Sequence, residues 1–138
     1  MSGHFYLGRV LLAQGRAEAA LEEMQREESE FWRLTGLALA LPWLGRREDA
    51  DDALQRLRAL DSQGAASYQF AQIHACRGEP DAAFEWLDRA VTWRDAGLTF
   101  LAVDPLLVPL HLDPRWERFL RRHGFQARPG HATPGPAG

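Results

Sequence analysis

The sequence has a single cysteine, Cys76, and no uninterrupted apolar run of membrane-spanning length. One cysteine cannot form an intramolecular disulfide, so nothing in the chain requires an oxidising compartment. A membrane-spanning helix needs roughly 18 consecutive apolar residues. Arg9 interrupts the most apolar run near the N-terminus, which argues against a signal peptide. These absences predict a cytoplasmic protein without a membrane partner.

The sequence also lacks lysine, asparagine and any surplus of positive charge. Its 16 basic residues are all arginine and face 19 acidic residues, which gives a formal net charge of −3. Nucleic-acid-binding domains usually carry a basic excess, so no nucleic-acid partner is expected. We interpret the exclusive use of arginine as a compositional habit of a GC-rich bacterial genome.

β-Branched residues are scarce as well, with one isoleucine, four valines and four threonines in a chain rich in leucine and alanine. Leucine and alanine favour helices, whereas β-branched residues favour sheets. A chain of 138 residues is close to one domain in size and long enough to bury a hydrophobic core. The composition therefore predicts an all-α protein.

Three glycines divide most of the chain into similar units. Gly15, Gly45 and Gly78 each lie between two runs of residues with helical apolar spacing. Glycine enters the left-handed conformation at a helix end without steric cost, so each unit is predicted to be a helix, a tight turn and a second helix. We expect Pro42 to kink one helix near its end. The six predicted helices form three antiparallel pairs, 3–14 with 17–28, 30–44 with 48–60, and 65–77 with 80–93.

Small residues recur at matching positions in the two helices of each predicted pair, where they let the two backbones approach closely. Larger apolar residues on the same faces, such as Leu7, are expected to point inward. Charged residues such as Glu27 are expected to lie on solvated faces. The matching small residues are Gly8 with Ala20, Ala38 with Ala50, and Ala71 with Ala83.

These positions resemble the tetratricopeptide repeat family, whose pattern combines small and apolar residues in a helix pair of about 34 residues. The resemblance covers residues 3–94 and implies a helical-repeat solenoid of three antiparallel pairs within residues 1–94. The matching positions are Leu7-Gly8, Leu11, Ala20 and Met24 in the first unit, Leu37-Ala38, Leu41, Ala50 and Leu54 in the second, and Phe70-Ala71, His74, Ala83 and Leu87 in the third.

The remaining residues are predicted to form a helical cap, 95–125, and a disordered tail, 126–138. Asp104-Pro105 and Asp113-Pro114 have the sequence of helix starts, with aspartate as N-cap and proline in the first turn. Bacterial tetratricopeptide proteins often finish with a similar signature, so this segment resembles the family's C-terminal cap. Such a cap covers the apolar face of the last repeat. A short apolar helix is expected at 98–103, and the tail is rich in proline, glycine and alanine.

No arrangement of residues in the sequence indicates catalysis. The five histidines include no His-x-x-x-His pair, no CxxC accompanies them, and the glycines are isolated rather than gathered in a phosphate-binding loop. Cys76 is near a predicted helix C-terminus, where the helix dipole raises a thiol pKa. We therefore predict a non-enzyme with no metal and no cofactor. The arginine-rich last helix is open to three interpretations: solvated surface, contact with an acidic protein surface, including another copy, and weak contact with a nucleic acid.

In tetratricopeptide proteins the first helices of successive pairs line a concave surface that binds extended or helical segments. The resemblance therefore implies a non-catalytic protein–protein interaction scaffold that presents a concave aromatic and aliphatic groove to a peptide or protein segment, or to a second copy of the chain. Aromatic side chains would provide affinity and Arg9 and Gln72 would fix polarity. The candidate groove residues are Phe5, Arg9, Leu12, Trp32, Thr35, Leu39, Trp43, Tyr68 and Gln72.

The alternative function is an oligomerisation or spacer domain of a larger bacterial regulatory protein, with no external ligand. In that case Phe5, Trp32 and Trp43 pack against further repeats, the terminal cap or a second copy. The residues by themselves leave both functions open.

Overall fold

The computed structural model describes residues 3–61 and 63–125, and these residues form helices without any β-strand. The all-α prediction is confirmed for this part of the chain. None of its helices is both long enough and apolar enough to cross a membrane. The α-helices are α1 Gly3–Ala13, α2 Ala17–Gln25, α3 Glu30–Ala40, α4 Arg47–Leu60, α5 Ser67–Cys76, α6 Pro80–Trp93 and α7 Pro114–His123.

Consecutive helices pack in pairs, α1 with α2, α3 with α4 and α5 with α6. Each of these helices begins within two residues of its predicted start. Between partners the chain turns at Gly15, Gly45 and Gly78, whose φ angles of 76°, 72° and 75° lie in the left-handed region. A residue with a Cβ is strained there, which explains why glycine follows the first helix of each pair.

Pro42 lies where the helix changes type. The α-helical geometry of α3 ends at Ala40, and the chain continues as a 3-10 segment over Leu41–Leu44. Proline has no N–H to donate, and its ring clashes with the carbonyl four residues earlier, so an α-helix does not continue smoothly through it. The predicted helix 30–44 is therefore divided into an α-helix and one tighter turn.

Small side chains lie where the helices meet. A Cβ added to Gly8 would lie 2.7 Å from Cγ of Met24 in α2, so a larger residue there requires α1 or Met24 to shift. Protein interiors are packed too closely to absorb even one extra methyl group freely. The five alanines predicted at these contacts are all fully buried, namely Ala20, Ala38, Ala50, Ala71 and Ala83.

Replacing Ala83 with leucine is expected to lower the free energy of unfolding by about 1–3 kcal/mol, because the larger side chain has to enter the closed contact between α5 and α6. Urea denaturation followed by far-UV circular dichroism measures the change. Ala59→Leu on the exposed face of α4 is the control and should leave the midpoint nearly unchanged. An unchanged midpoint for Ala83→Leu would show that this pair is not packed as described.

Two predictions about individual side chains are wrong. Leu7, expected to point inward, is 48% exposed, whereas Glu27, expected on a solvated face, is only 2% exposed. Oε1 of Glu27 accepts a 3.0 Å hydrogen bond from the backbone N–H of Phe5, a group in the first turn of α1 that has no partner within its own helix. Because this contact joins residues far apart in sequence, helical spacing around Glu27 cannot reveal it.

The helix α5 lies at the centre of the fold, and eight of its ten residues are buried. Phe70 and Ile73 belong to the core that it forms with α1–α4, whereas Tyr68 and Ala71 belong to a second core with α6, α7 and the segment between them. The sequence of a helix that is covered on most sides has apolar residues all round the helix rather than along one face. Through α5, the packing of the three pairs is connected to that of the C-terminal segment.

After α6 the chain packs against α5 as two 3-10 segments, Ala96–Val103 and Pro105–Leu110. Asp104 and Asp113 are N-caps as predicted, since Oδ1 of each accepts a 2.9 Å hydrogen bond from the backbone N–H two residues later. The short helix expected at 98–103 is part of the first 3-10 segment and begins earlier than predicted. The tail expected to be disordered, 126–138, lies outside the described residues.

Candidate functional site

A cavity of about 530 Å³ opens between α1, α3, α5 and the 3-10 segment Ala96–Val103. We call it the aromatic pocket. Its volume falls within the roughly 300–1,000 Å³ typical of ligand-binding sites. The aromatic residues that line it are Phe5, Tyr6, Trp32, Tyr68 and Phe100, and the ionisable ones that affect its charge at neutral pH are Arg9, Asp95 and Asp104.

Three aromatic rings from α1 and α3 form one continuous wall of the pocket. The ring centroid of Phe5 lies 4.9 Å from that of Trp32 and 5.5 Å from that of Tyr6. The rings of Tyr6 and Trp32 are 6.4 Å apart. Phe100 adds a fourth ring from the 3-10 segment and is 63% exposed. The pocket therefore offers a large area of aromatic surface to a ligand.

Asp104 is the centre of a buried hydrogen-bond network at the base of the pocket. Its Oδ2 accepts hydrogen bonds from the Tyr68 hydroxyl at 2.5 Å and from the Gln72 amide at 2.7 Å. Its Oδ1 accepts from the backbone N–H of Leu106 and, at 3.3 Å, from Nη2 of Arg9. Asp104 is only 4% exposed, and a buried carboxylate is costly unless donors surround it in this way. The network connects α1 and α5 to the C-terminal segment.

Burial and the Asp104 carboxylate raise the pKa of two neighbouring groups. Burial is the largest cause of the raised pKa of the Tyr68 hydroxyl. The charge of Asp104 and its hydrogen bond add to the shift, and Arg9 opposes it. Burial also raises the pKa of the Cys76 thiol to about 12, with a smaller contribution from Asp104. A protonated thiol is a poor nucleophile, so an unreactive Cys76 is expected as before, but burial and not the helix dipole is its principal cause.

Asp95 fixes the start of the 3-10 segment against α5. Its Oδ1 accepts a 2.9 Å hydrogen bond from the backbone N–H of Gly97, and its Oδ2 accepts a 3.2 Å hydrogen bond from that of Tyr68. A Cβ added to Gly97 would lie 2.7 Å from Cγ of Tyr68, so only glycine permits the backbone to approach the ring this closely. These contacts therefore fix the shape of this side of the pocket before any ligand binds.

Five of the nine predicted groove residues come together in the aromatic pocket, namely Phe5, Arg9, Trp32, Tyr68 and Gln72. They belong to three different helices, the first helix of each pair. The tyrosine and the glutamine do not lie free at the surface, because their polar ends are bound to Asp104.

The other four predicted groove residues lie elsewhere. Leu12 and Leu39 are buried in the hydrophobic core. Thr35 is fully buried, and its hydroxyl donates a 2.8 Å hydrogen bond to the carbonyl of Phe31 in its own helix. Trp43 is 63% exposed and lies beside the turn between α1 and α2, outside the pocket. The 3-10 turn that follows α3 places Trp43 off the helical face on which its predicted position was based.

Sequence reasoning missed nine of the fourteen residues that line the pocket, and four of them matter most for its chemistry, Tyr6, Asp95, Phe100 and Asp104. Tyr6 follows Phe5 on α1, and its exposure is not evident from helical spacing. Asp95 and Phe100 lie in a segment without α-helical periodicity, so no pattern places them beside α1 and α3. Asp104 was expected only as an N-cap; its bonds to Tyr68 and Gln72 depend on the tertiary fold.

The polar groups at the base of the pocket mainly hold one another in place. What they leave for a ligand is the remaining N–H groups of Arg9, the carboxylate of Asp95 and the ring surface. Within residues 3–61 and 63–125, no three His, Cys, Asp or Glu side chains are grouped so that they could hold a metal ion. Comparison of the chain with protein-family models, with curated proteins and with solved structures finds no match.

Proposed function

We propose that the chain is a non-catalytic protein–protein interaction module that binds a segment of a partner protein in the aromatic pocket. In this proposal the three helix pairs form a tetratricopeptide-like solenoid, and the pocket is the open part of its concave face. The proposal includes a bacterial, cytoplasmic setting. The observation that carries it is a cavity of about 530 Å³ with an aromatic wall above a buried polar network.

The composition of the pocket suits a protein segment. Tryptophan, tyrosine and arginine are the residues that most often dominate the energy of protein interfaces, and Trp32, Tyr6 and Arg9 all line this cavity. The buried hydrogen-bond network centred on Asp104 fixes the positions of several lining residues before a partner binds. A preformed site avoids the entropic cost of ordering its side chains on binding.

The C-terminal segment covers part of the proposed groove. Asp104 is bound to three of the predicted groove residues, Arg9, Tyr68 and Gln72. The carbonyl of Leu106 lies 3.8 Å from Sγ of Cys76 at the end of α5. A partner therefore has access to the portion beside α1 and α3, and a short segment is sufficient to fill it.

A second function is favoured by a different observation, the apolar residues exposed on α1. Tyr6, Leu7 and Val10 are each about half exposed. An apolar patch on one helix is a surface on which a second copy of the chain could pack. This supports the alternative of an oligomerisation or spacer domain of a larger bacterial regulatory protein.

Selection from a displayed library of random peptides tests the proposed function. The wild-type chain is expected to enrich peptides with a shared motif, and Phe100→Ala is expected to weaken their binding about tenfold, which corresponds to the loss of one aromatic anchor. Trp43→Ala is the matched control, because Trp43 and Phe100 are both 63% exposed but only Phe100 lines the pocket.

The same experiment separates the two functions. Failure to enrich any motif, or equal binding to Phe100→Ala and Trp43→Ala, contradicts a binding role for the pocket. A concentration-dependent dimer in sedimentation that Leu7→Glu abolishes, together with a failed selection, supports the oligomerisation domain instead.

A further inference from the structure

We propose that the aromatic pocket selects a cationic side chain, arginine or lysine, of the partner segment. The proposal rests on the proposed function and adds the chemistry of the residue that enters the pocket. It is carried by the charges and rings that face the cavity.

The ionisable groups facing the pocket leave one negative charge at neutral pH. They are Arg9, Asp95 and Asp104. Arg9 is paired with Asp104 at 3.3 Å, so these two charges largely cancel. Both hydrogen bonds that Asp95 accepts come from uncharged backbone N–H groups. Among the ion pairs of the described residues none includes Asp95, and its neighbour Arg94 does not line the pocket.

The carboxylate of Asp95 has room for a further donor. An ionised carboxylate offers about four lone-pair positions, and the two backbone hydrogen bonds use two of them. A guanidinium or ammonium group can donate a further hydrogen bond to the carboxylate and also bring the positive charge that the two backbone N–H groups lack. A hydrogen bond between charged groups is stronger than one from a neutral donor. Burial is the largest cause of the raised pKa of the Tyr68 hydroxyl; Asp104 and, least of all, Asp95 raise this pKa further and Arg9 lowers it, in the directions that these charges require.

The aromatic wall favours the same ligand. The face of an aromatic ring carries partial negative charge and attracts a cation within about 6 Å of its centroid. The protein already places one cation there, since the guanidinium carbon of Arg9 lies 6.0 Å from the centre of the Phe5 ring. Tyr6, Trp32 and Phe100 present further ring surface to the cavity. A partner's cation would therefore lie between several aromatic rings and the carboxylate of Asp95, which has no ion-pair partner of its own in the described part of the chain.

Arg9 favours the opposite ligand, an anion, through the N–H groups that it does not give to Asp104. An anion is the less favoured ligand, because the Arg9 guanidinium is already paired with a buried carboxylate. An incoming anion would also be repelled by Asp104 and Asp95, which both lie close to it. The two possibilities predict opposite preferences, and the test is designed to decide between them.

The test uses three peptides of five residues with blocked ends. Leucines flank the central residue, which is arginine, citrulline or glutamate. Citrulline keeps the shape of arginine but has no charge. By calorimetry, the arginine peptide is expected to bind about tenfold more tightly than the citrulline peptide, and the glutamate peptide most weakly. In Asp95→Asn the preference for arginine over citrulline should fall below about threefold, because arginine loses a charged hydrogen bond and citrulline at most a neutral one.

Asparagine is chosen at position 95 because its amide oxygen can still accept the capping hydrogen bond from Gly97. Its NH2 group cannot accept the second hydrogen bond, from the backbone N–H of Tyr68, so circular dichroism is used to verify the fold of the variant. Asp52→Asn removes an exposed carboxylate of α4 outside the pocket and should leave all three affinities unchanged. Phe100→Leu provides an independent readout, since it should weaken the arginine peptide more than the citrulline peptide. Trp93→Leu, an exposed ring outside the pocket, should weaken neither.

Tightest binding by the glutamate peptide overturns the proposal and identifies Arg9 as the recognising group. Equal binding of the arginine and citrulline peptides, or no binding by any of the three, also overturns it. These results leave the proposed function standing if the peptide library still yields a motif that depends on Phe100. A failed selection, or a selected motif that binds Phe100→Ala and Trp43→Ala equally, removes both proposals.

Discussion

Replacing Asp104 with alanine is expected to lower the free energy of unfolding by about 3–5 kcal/mol, the usual cost of removing one member of a buried, charged hydrogen-bond network. The carboxylate is 4% exposed and accepts bonds from Tyr68, Gln72, Arg9 and the backbone N–H of Leu106. Without it, a buried hydroxyl and a buried amide lose their acceptor. Urea denaturation, with the same denaturant slope in both proteins, measures the loss.

Asp113→Ala is the matched control for this prediction. Asp113 is also followed by proline and also caps a helix through the backbone N–H two residues later, but its other partner is the partly exposed guanidinium of Arg115. Its removal should therefore cost clearly less than that of Asp104. Equal losses for the two variants would mean that the bonds to Tyr68 and Gln72 do not contribute, and the buried network would have no energetic role.

The same comparison shows which part of the fold was predictable. Helix starts and turns depend on neighbouring residues, so Gly15, Gly45 and Gly78 marked the turns correctly, and both Asp-Pro pairs marked helix starts. Asp104 and Asp113 are alike at that local level. They differ in a contact between residues 36 positions apart, the bond from Tyr68 to Asp104, which no local pattern encodes.

The candidate site was predictable to a similar extent. The resemblance to tetratricopeptide proteins implied a groove along the first helix of each pair, and Phe5, Trp32 and Tyr68 do line one cavity. The same inference failed for Trp43, because α3 ends at Ala40, two residues before Pro42, and the 3-10 turn that follows gives the next side chains other directions. This inference also could not identify Phe100, because Phe100 lies in a 3-10 segment that packs against α5 and has no α-helical periodicity in its sequence.

Replacing Met24 with alanine is expected to lower the free energy of unfolding by about 2–5 kcal/mol. Met24 is fully buried and fills the space between two glycines on neighbouring helices. A Cβ added to Gly8 on α1 or to Gly36 on α3 would in each case lie 2.7 Å from Cγ of Met24. Its truncation therefore opens a cavity among three helices, which cannot close without moving two of them. Thermal and urea unfolding monitored by circular dichroism measure the effect.

A double-mutant cycle with Gly8→Ala tests the cause of this loss. Alone, Gly8→Ala is expected to cost about 1–3 kcal/mol, because the new methyl group would lie 2.7 Å from Cγ and 2.9 Å from Cε of Met24. Met24→Ala removes both of these atoms, so the double variant should be more stable than the sum of the single losses indicates, by at least about 1 kcal/mol. Additive losses would show that Gly8 and Met24 do not share one space. The close contact of α1 with α2 would then need another explanation than the packing of a large side chain against a glycine.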